Sequence, residues 1–92
     1  MIKTFKCKET RAIFERRGSK RFRAIEHIAL RKLVQLEGSE RLDDLRIPPA
    51  NHLERLKRDR AGQWSIRIND QWRLCFDWKD GAAWNVEIVD YH

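Results

Sequence analysis

Three histidines, a short basic run and two arginines in an alternating segment are the groups in this 92-residue chain best suited to chemistry. RNA can be cut without a metal if its own 2′-hydroxyl attacks the adjacent phosphate. That step needs a base for the hydroxyl proton, cations for the charge growing on phosphorus, and an acid for the departing 5′-oxygen. Histidine suits the proton transfers because its pKa of about 6.5 leaves both forms populated near neutrality. Arginine suits the phosphate because its planar, permanently charged fork donates two parallel hydrogen bonds. His27 falls inside a helical stretch and reads as a structural or surface residue. His52 lies just before the second strand, beside the run Arg55, Lys57, Arg58 and Arg60, in which Asp59 is the one acid. His92 is the final residue, and an adjacent α-carboxylate favours its proton-donating form. A terminal residue is equally open to being disordered. No glycine-rich phosphate loop, metal-ligand spacing or serine or cysteine triad stands out, so chemistry without metal or cofactor is the most economical enzymatic reading.

The chain must fold as one domain over 1–92, because it is too short for two cores. Hydrophobic content of 41% with four Trp and four Phe is enough for a packed globule. No stretch reads as a secretory signal or a membrane span, which points to a cytoplasmic protein without membrane partners. Cys7 and Cys75 read as two plain thiols. Twenty basic residues against fourteen acidic ones leave a net charge of +6 and favour an anionic partner, nucleic acid or acidic protein. The excess is gathered at 11–23 and 55–60. Such runs are often only solvated faces, but two of them in so small a domain favour polyphosphate binding.

These groups need a scaffold, and the hydrophobic pattern outlines one. Ile2 to Phe5 is suited to a short strand. Glu9 to Arg17 reads as a helix stopped by Gly18, with Ile13 and Phe14 for the core. Ser19 sits where an N-cap belongs, and a longer helix is expected from there to Glu37, closed by Gly38. Its stripe of Phe22, Ile25, Ala29, Leu33 and Leu36 has helical spacing. Residues 39–47 suggest a helical turn, and Pro48-Pro49 an extended connection. The period then becomes two. Trp64, Ile66 and Ile68 mark one strand, Trp72, Leu74, Phe76 and Trp78 the next, and Trp84, Val86 and Ile88 the last, with turns at 69–71 and Asp80-Gly81. The sum is an α+β fold, an N-terminal strand and two helices packed on one face of a twisted antiparallel sheet. Arg67 and Arg73 then project from the opposite, solvent-open face. They read either as a phosphate platform or as charges that blunt aggregation.

The opening MIKTFK, the segment from Leu56 to Ile66, the segment from Asn69 to Phe76 and the ending Asp90-Tyr91-His92 resemble the HigB toxins of the RelE/ParE superfamily. The resemblance spans essentially the whole chain and implies the RelE-like fold. It also implies a toxin of a type II toxin–antitoxin system that cleaves mRNA in the ribosomal A-site. The implied partners are a HigA-type helix-turn-helix antitoxin, the ribosome with mRNA, and operator DNA only through the antitoxin. Carried over by position, Lys57 and Arg73 bind and stabilise the scissile phosphate, with Arg67 as a neighbouring candidate; Arg55, Arg58 and Arg60 of the basic run are the further candidates for RNA binding. Asp90, Tyr91 and His92 form the C-terminal part of the site, Tyr91 by stacking on a base or bonding the phosphate and His92 as acid or base. One position departs from the pattern: HigB enzymes carry a histidine three residues before the lysine, and here Glu54 stands there. Glu54 as base, His52 as substitute on the same strand face, or Glu54 as a local ion-pair partner are the alternatives. Relatives that inhibit DNA gyrase without cutting RNA, and RNA-binding modules with weak cleavage, are the competing functional readings.

Overall fold

A computed structural model describes residues 1–91. Helix α1 spans Lys8–Phe14 and α2 spans Glu26–Gly38. Strands β1 (Glu54–Arg55), β2 (Gln63–Arg67), β3 (Trp72–Lys79) and β4 (Ala82–Asp90) follow as an antiparallel meander in sequence order. The apolar stripe of α2 and Ile13 of α1 pack on one face of this sheet. There Ala29, Leu33 and Leu36 meet Ile66, Leu74 and Phe76 in a core closed to solvent. Burial of such side chains, each contributing roughly 1.5–3 kcal/mol, is the main force holding the helices to the sheet.

The N-terminal segment lies beside β4 as two parallel bridges, Ile2 to Ala83 and Phe5 to Val86, rather than as a full strand. Both helices are shorter than their periodicity suggests. α1 ends at Phe14, three residues before Arg17, because Arg16 turns left-handed at φ 62°. Arg16 N–H then donates to Ile13 O and Arg17 N–H to Ala12 O, which satisfies the last carbonyls of the helix. Gly18 (φ 79°) continues the turn. Ser19 does cap, accepting from Phe22 N–H at 3.3 Å, but it caps a turn rather than α2. Phe22 is drawn into the core against the edge of Trp72 (5.3 Å), and regular helix begins only at Glu26. Pro48 is extended as expected, but Pro49–Asn51 forms a 3-10 turn, as does Leu42–Arg46. The hairpins form where expected. Asn69 Oδ1 accepts from the N–H groups of Gln71 and Trp72, and Asp80 and Gly81 both take positive φ.

Period-two alternation puts Trp84 on one face with Val86 and Ile88, and the structure departs from it. Asn85 adopts φ 54°, and the β3–β4 register shifts between Cys75 and Asp77. That bulge inverts the alternation, so Trp84 pairs with Asp77 on the face away from the helices while Val86 and Ile88 keep to the core.

Candidate active site

The face of the sheet away from the helices is only partly open. Arg73 lies on it as expected, but its residue is 9% exposed, which corrects the expectation of an open arginine platform. The 3-10 turn Pro49–Asn51 and Tyr91 cover it. Arg73 Nε donates to Ser65 Oγ at 2.8 Å, and Nη2 donates to the carbonyls of His52 (2.5 Å) and Ser65 (3.4 Å). Its guanidinium carbon stands 5.8 Å from the Tyr91 ring centroid. All three acceptors are neutral oxygens. Among the described residues no carboxylate pairs with Arg73, and Nη1 has no hydrogen-bond partner. A buried cation held by neutral dipoles keeps its full charge for an arriving anion.

Each wall of this cradle has its own support. Ser65 is fully buried on β2, and its Cα partner across the hairpin is Cys75, so it reaches Arg73 diagonally. His52 takes the left-handed conformation (φ 45°, ψ 57°) that ends the turn, and Arg73 receives its backbone carbonyl rather than its exposed imidazole. The turn is pinned by Asn51, which is fully buried. Asn51 Nδ2 donates to Gln35 Oε1 (3.0 Å) and Leu45 O (3.1 Å), and its Oδ1 accepts from Lys32 Nζ. Burial, with the charges of Arg31 and Arg67, lowers the Lys32 pKa. Tyr91 is tied down by its N–H to Gln71 O at 2.6 Å, while Gln71 Nε2 donates to Asp90 at 3.2 Å.

An open cleft of about 590 Å³ adjoins this cradle, lined by Glu54, Arg55, Leu56, Lys57, Arg58 and Tyr91. Of the residues singled out in the sequence, Glu54, Arg55, Lys57, Arg58 and Tyr91 therefore converge, with Arg73 beneath the tyrosine. Glu54 is exposed and forms no ion pair among the described residues, against its reading as a local ion-pair partner. His52 is not on a strand and so does not share a strand face with Glu54. Arg55 leans on Trp64 (5.9 Å to the ring). Arg67 bonds Asp70, and Arg60 is held by Glu87 and Gln63, both at 3.1 Å, beside a different cleft. His92 lies outside the described residues. Ser65 and Asn51, which position the arginine, were missed. A small hydroxyl between Trp64 and Ile66 was the signal for the first, and an amide following two prolines for the second.

A small basic α+β domain with a caged arginine beside a cationic cleft is therefore the class that fold and site define. The profile of the family described as "RelE-like toxin of type II toxin-antitoxin system HigB" matches residues 3–92. The chain belongs to this family of HigB-like toxins. It is 45% identical over 65 residues to Toxin HigB-1 of Vibrio cholerae serotype O1, covering 71% of this chain and 68% of that one. It is 30% identical over 93 residues to Endoribonuclease HigB of Proteus vulgaris, covering all of both chains. A chain of the YoeB–YefM complex from Staphylococcus aureus shares the fold at a TM-score of 0.57 and 21% identity, covering 100% of this chain and 98% of that one.

Proposed function

We propose that this toxin is an endoribonuclease that cleaves mRNA in the ribosomal A-site by metal-independent 2′-hydroxyl attack. The observation that carries the reading is the buried guanidinium of Arg73, held by neutral oxygens, beside a cleft lined by Lys57, Glu54 and Tyr91. Arg73 and Lys57 neutralise the charge that grows on the scissile phosphate, and Tyr91 stacks on a base. Glu54 and His92 are the titratable groups for the two proton transfers, with Asp90 as an orienting neighbour. The partners proposed with this activity are a HigA-type helix-turn-helix antitoxin and the mRNA-programmed ribosome, in the cytoplasm, with operator DNA reached only through the antitoxin. The full-length relative named an endoribonuclease supports the reaction class.

The test is to add purified protein to programmed ribosomes and map mRNA 5′ ends. A-site cuts that weaken by about 100- to 1000-fold in Arg73→Ala, and are lost in His92→Ala, are expected from folded variants. Gyrase inhibition without RNA cuts would overturn the reading.

A further inference from the structure

The basic run at the α1–α2 connection has no part in the cleft. Residues 8–26 hold seven Lys or Arg against three acids, four of the six net positive charges of the chain. They lie on the helix side of the sheet, whereas the caged arginine and Tyr91 lie on the other. Two open clefts flank the turn at Gly18. One, of about 370 Å³, includes Arg16, Arg17 and His27 in its lining. The other, of about 440 Å³, includes Lys8, Arg17, Lys20 and Arg21. The acids nearby are already engaged. Glu15 pairs with Arg11 (2.9 Å) and Arg17 (2.5 Å), Glu9 stands 3.9 Å from Arg21, and Glu26 accepts from Ser19 N–H at 2.6 Å. Arg16 and Lys20 are exposed and have no carboxylate partner among the described residues.

Arg16 is also conformationally costly. It occupies the left-handed position after the helix end (φ 62°), where glycine fits best. A residue kept in a disfavoured conformation, with its charge at the apex of a basic turn, points to use of that charge. The partner is marked by what is missing. The exposed large apolar side chains are Met1, Val34, Ile47 and Tyr91, none of them in this stretch. A protein interface needs an apolar, aromatic-rich centre, whereas a phosphate backbone needs exposed cations.

We propose that the α1–α2 connection, centred on Arg16 and Lys20, is a docking surface for the phosphate backbone of folded RNA, separate from the cleavage cleft. It rests on the ribosome reading above for the RNA it meets. The test is cosedimentation of the full chain with programmed ribosomes over a KCl series, comparing wild type with Arg16→Gly/Lys20→Gln. Loss of two phosphate contacts makes log affinity against log salt shallower by about 2. Arg16→Gly alone leaves the thermal midpoint unchanged or higher, because glycine fits φ 62°, so weakened binding is not a folding defect. Identical salt slopes for variant and wild type overturn the proposal. So does unchanged ribosome affinity accompanied by weakened antitoxin binding, which assigns the surface to a protein. Cuts that persist with unchanged slopes remove this surface and leave the cleavage reading. Salt-dependent association without cuts removes the cleavage reading and leaves the surface.

Discussion

Ser65→Ala isolates the bond that aims Arg73. Its Oγ is the only side-chain oxygen on the guanidinium among the described residues, at 2.8 Å from Nε, and Ser65 is fully buried. A hydrogen bond to a charged donor is worth about 1.5–3 kcal/mol, and removing the acceptor leaves a buried N–H unsatisfied. Nη2 keeps its carbonyls, so we expect a loss of about 2 kcal/mol in unfolding free energy. For a domain of this size each kcal/mol moves Tm by about 4–8 °C, giving a fall of roughly 8–16 °C. Under the proposed cleavage reaction, a guanidinium displaced by even an ångström no longer meets the phosphate squarely, so cleavage should fall about 100-fold.

Urea denaturation in a double-mutant cycle separates this from simple packing. Arg73→Met keeps the stem and removes the donors, so Ser65→Ala made in that background should be nearly neutral. The coupling between the two positions should be about 1.5–3 kcal/mol. An equal loss in both backgrounds would refute the reasoning and leave Ser65 as a packing residue.

Three further outcomes follow from the same geometry. Asn51→Ala removes three side-chain hydrogen bonds from a fully buried position and should lower stability by about 2–4 kcal/mol in urea melts, with cleavage falling as the His52 carbonyl shifts. The Cys75 thiol is pushed up to about 11 by burial from an ordinary 9.0, with Glu87 and Glu54 adding to the rise and Arg60 and Arg73 opposing it. The unfolded chain therefore deprotonates first, so this stabilisation is complete below pH 9.0 and fades as pH rises toward about 11, by roughly 3 kcal/mol; Cys75→Ala should flatten that part of the denaturation profile. Arg16→Gly relieves a left-handed non-glycine residue and should raise stability by about 1 kcal/mol, read as a higher urea midpoint with unchanged slope.

The helices, hairpins and core were legible because hydrophobic period alone dictates them: Ile66, Leu74 and Phe76 had to face α2 wherever the strand ends fell. Two kinds of information were not in the pattern. Alternation puts Trp84 on the helix face because it assumes an unbroken strand, whereas one left-handed residue, Asn85, reverses the parity of everything before it. For Arg73 the alternation gives the right face and says nothing of its enclosure. Period says which side of a sheet a side chain leaves, whereas its cover comes from elsewhere, here from His52, 21 residues away in sequence, and from Tyr91. That difference changes the chemistry. On an open face, water would screen the guanidinium and it would compete weakly for one phosphate among many. Enclosed by Ser65, the His52 carbonyl and the tyrosine ring, the same charge is partly desolvated and fixed in direction before any anion meets it. Glu54 follows the opposite logic. An exposed carboxylate without an ion-pair partner among the described residues contributes nothing evident to the fold there, so its position in the cleft beside Lys57 weighs toward the chemistry proposed for the site.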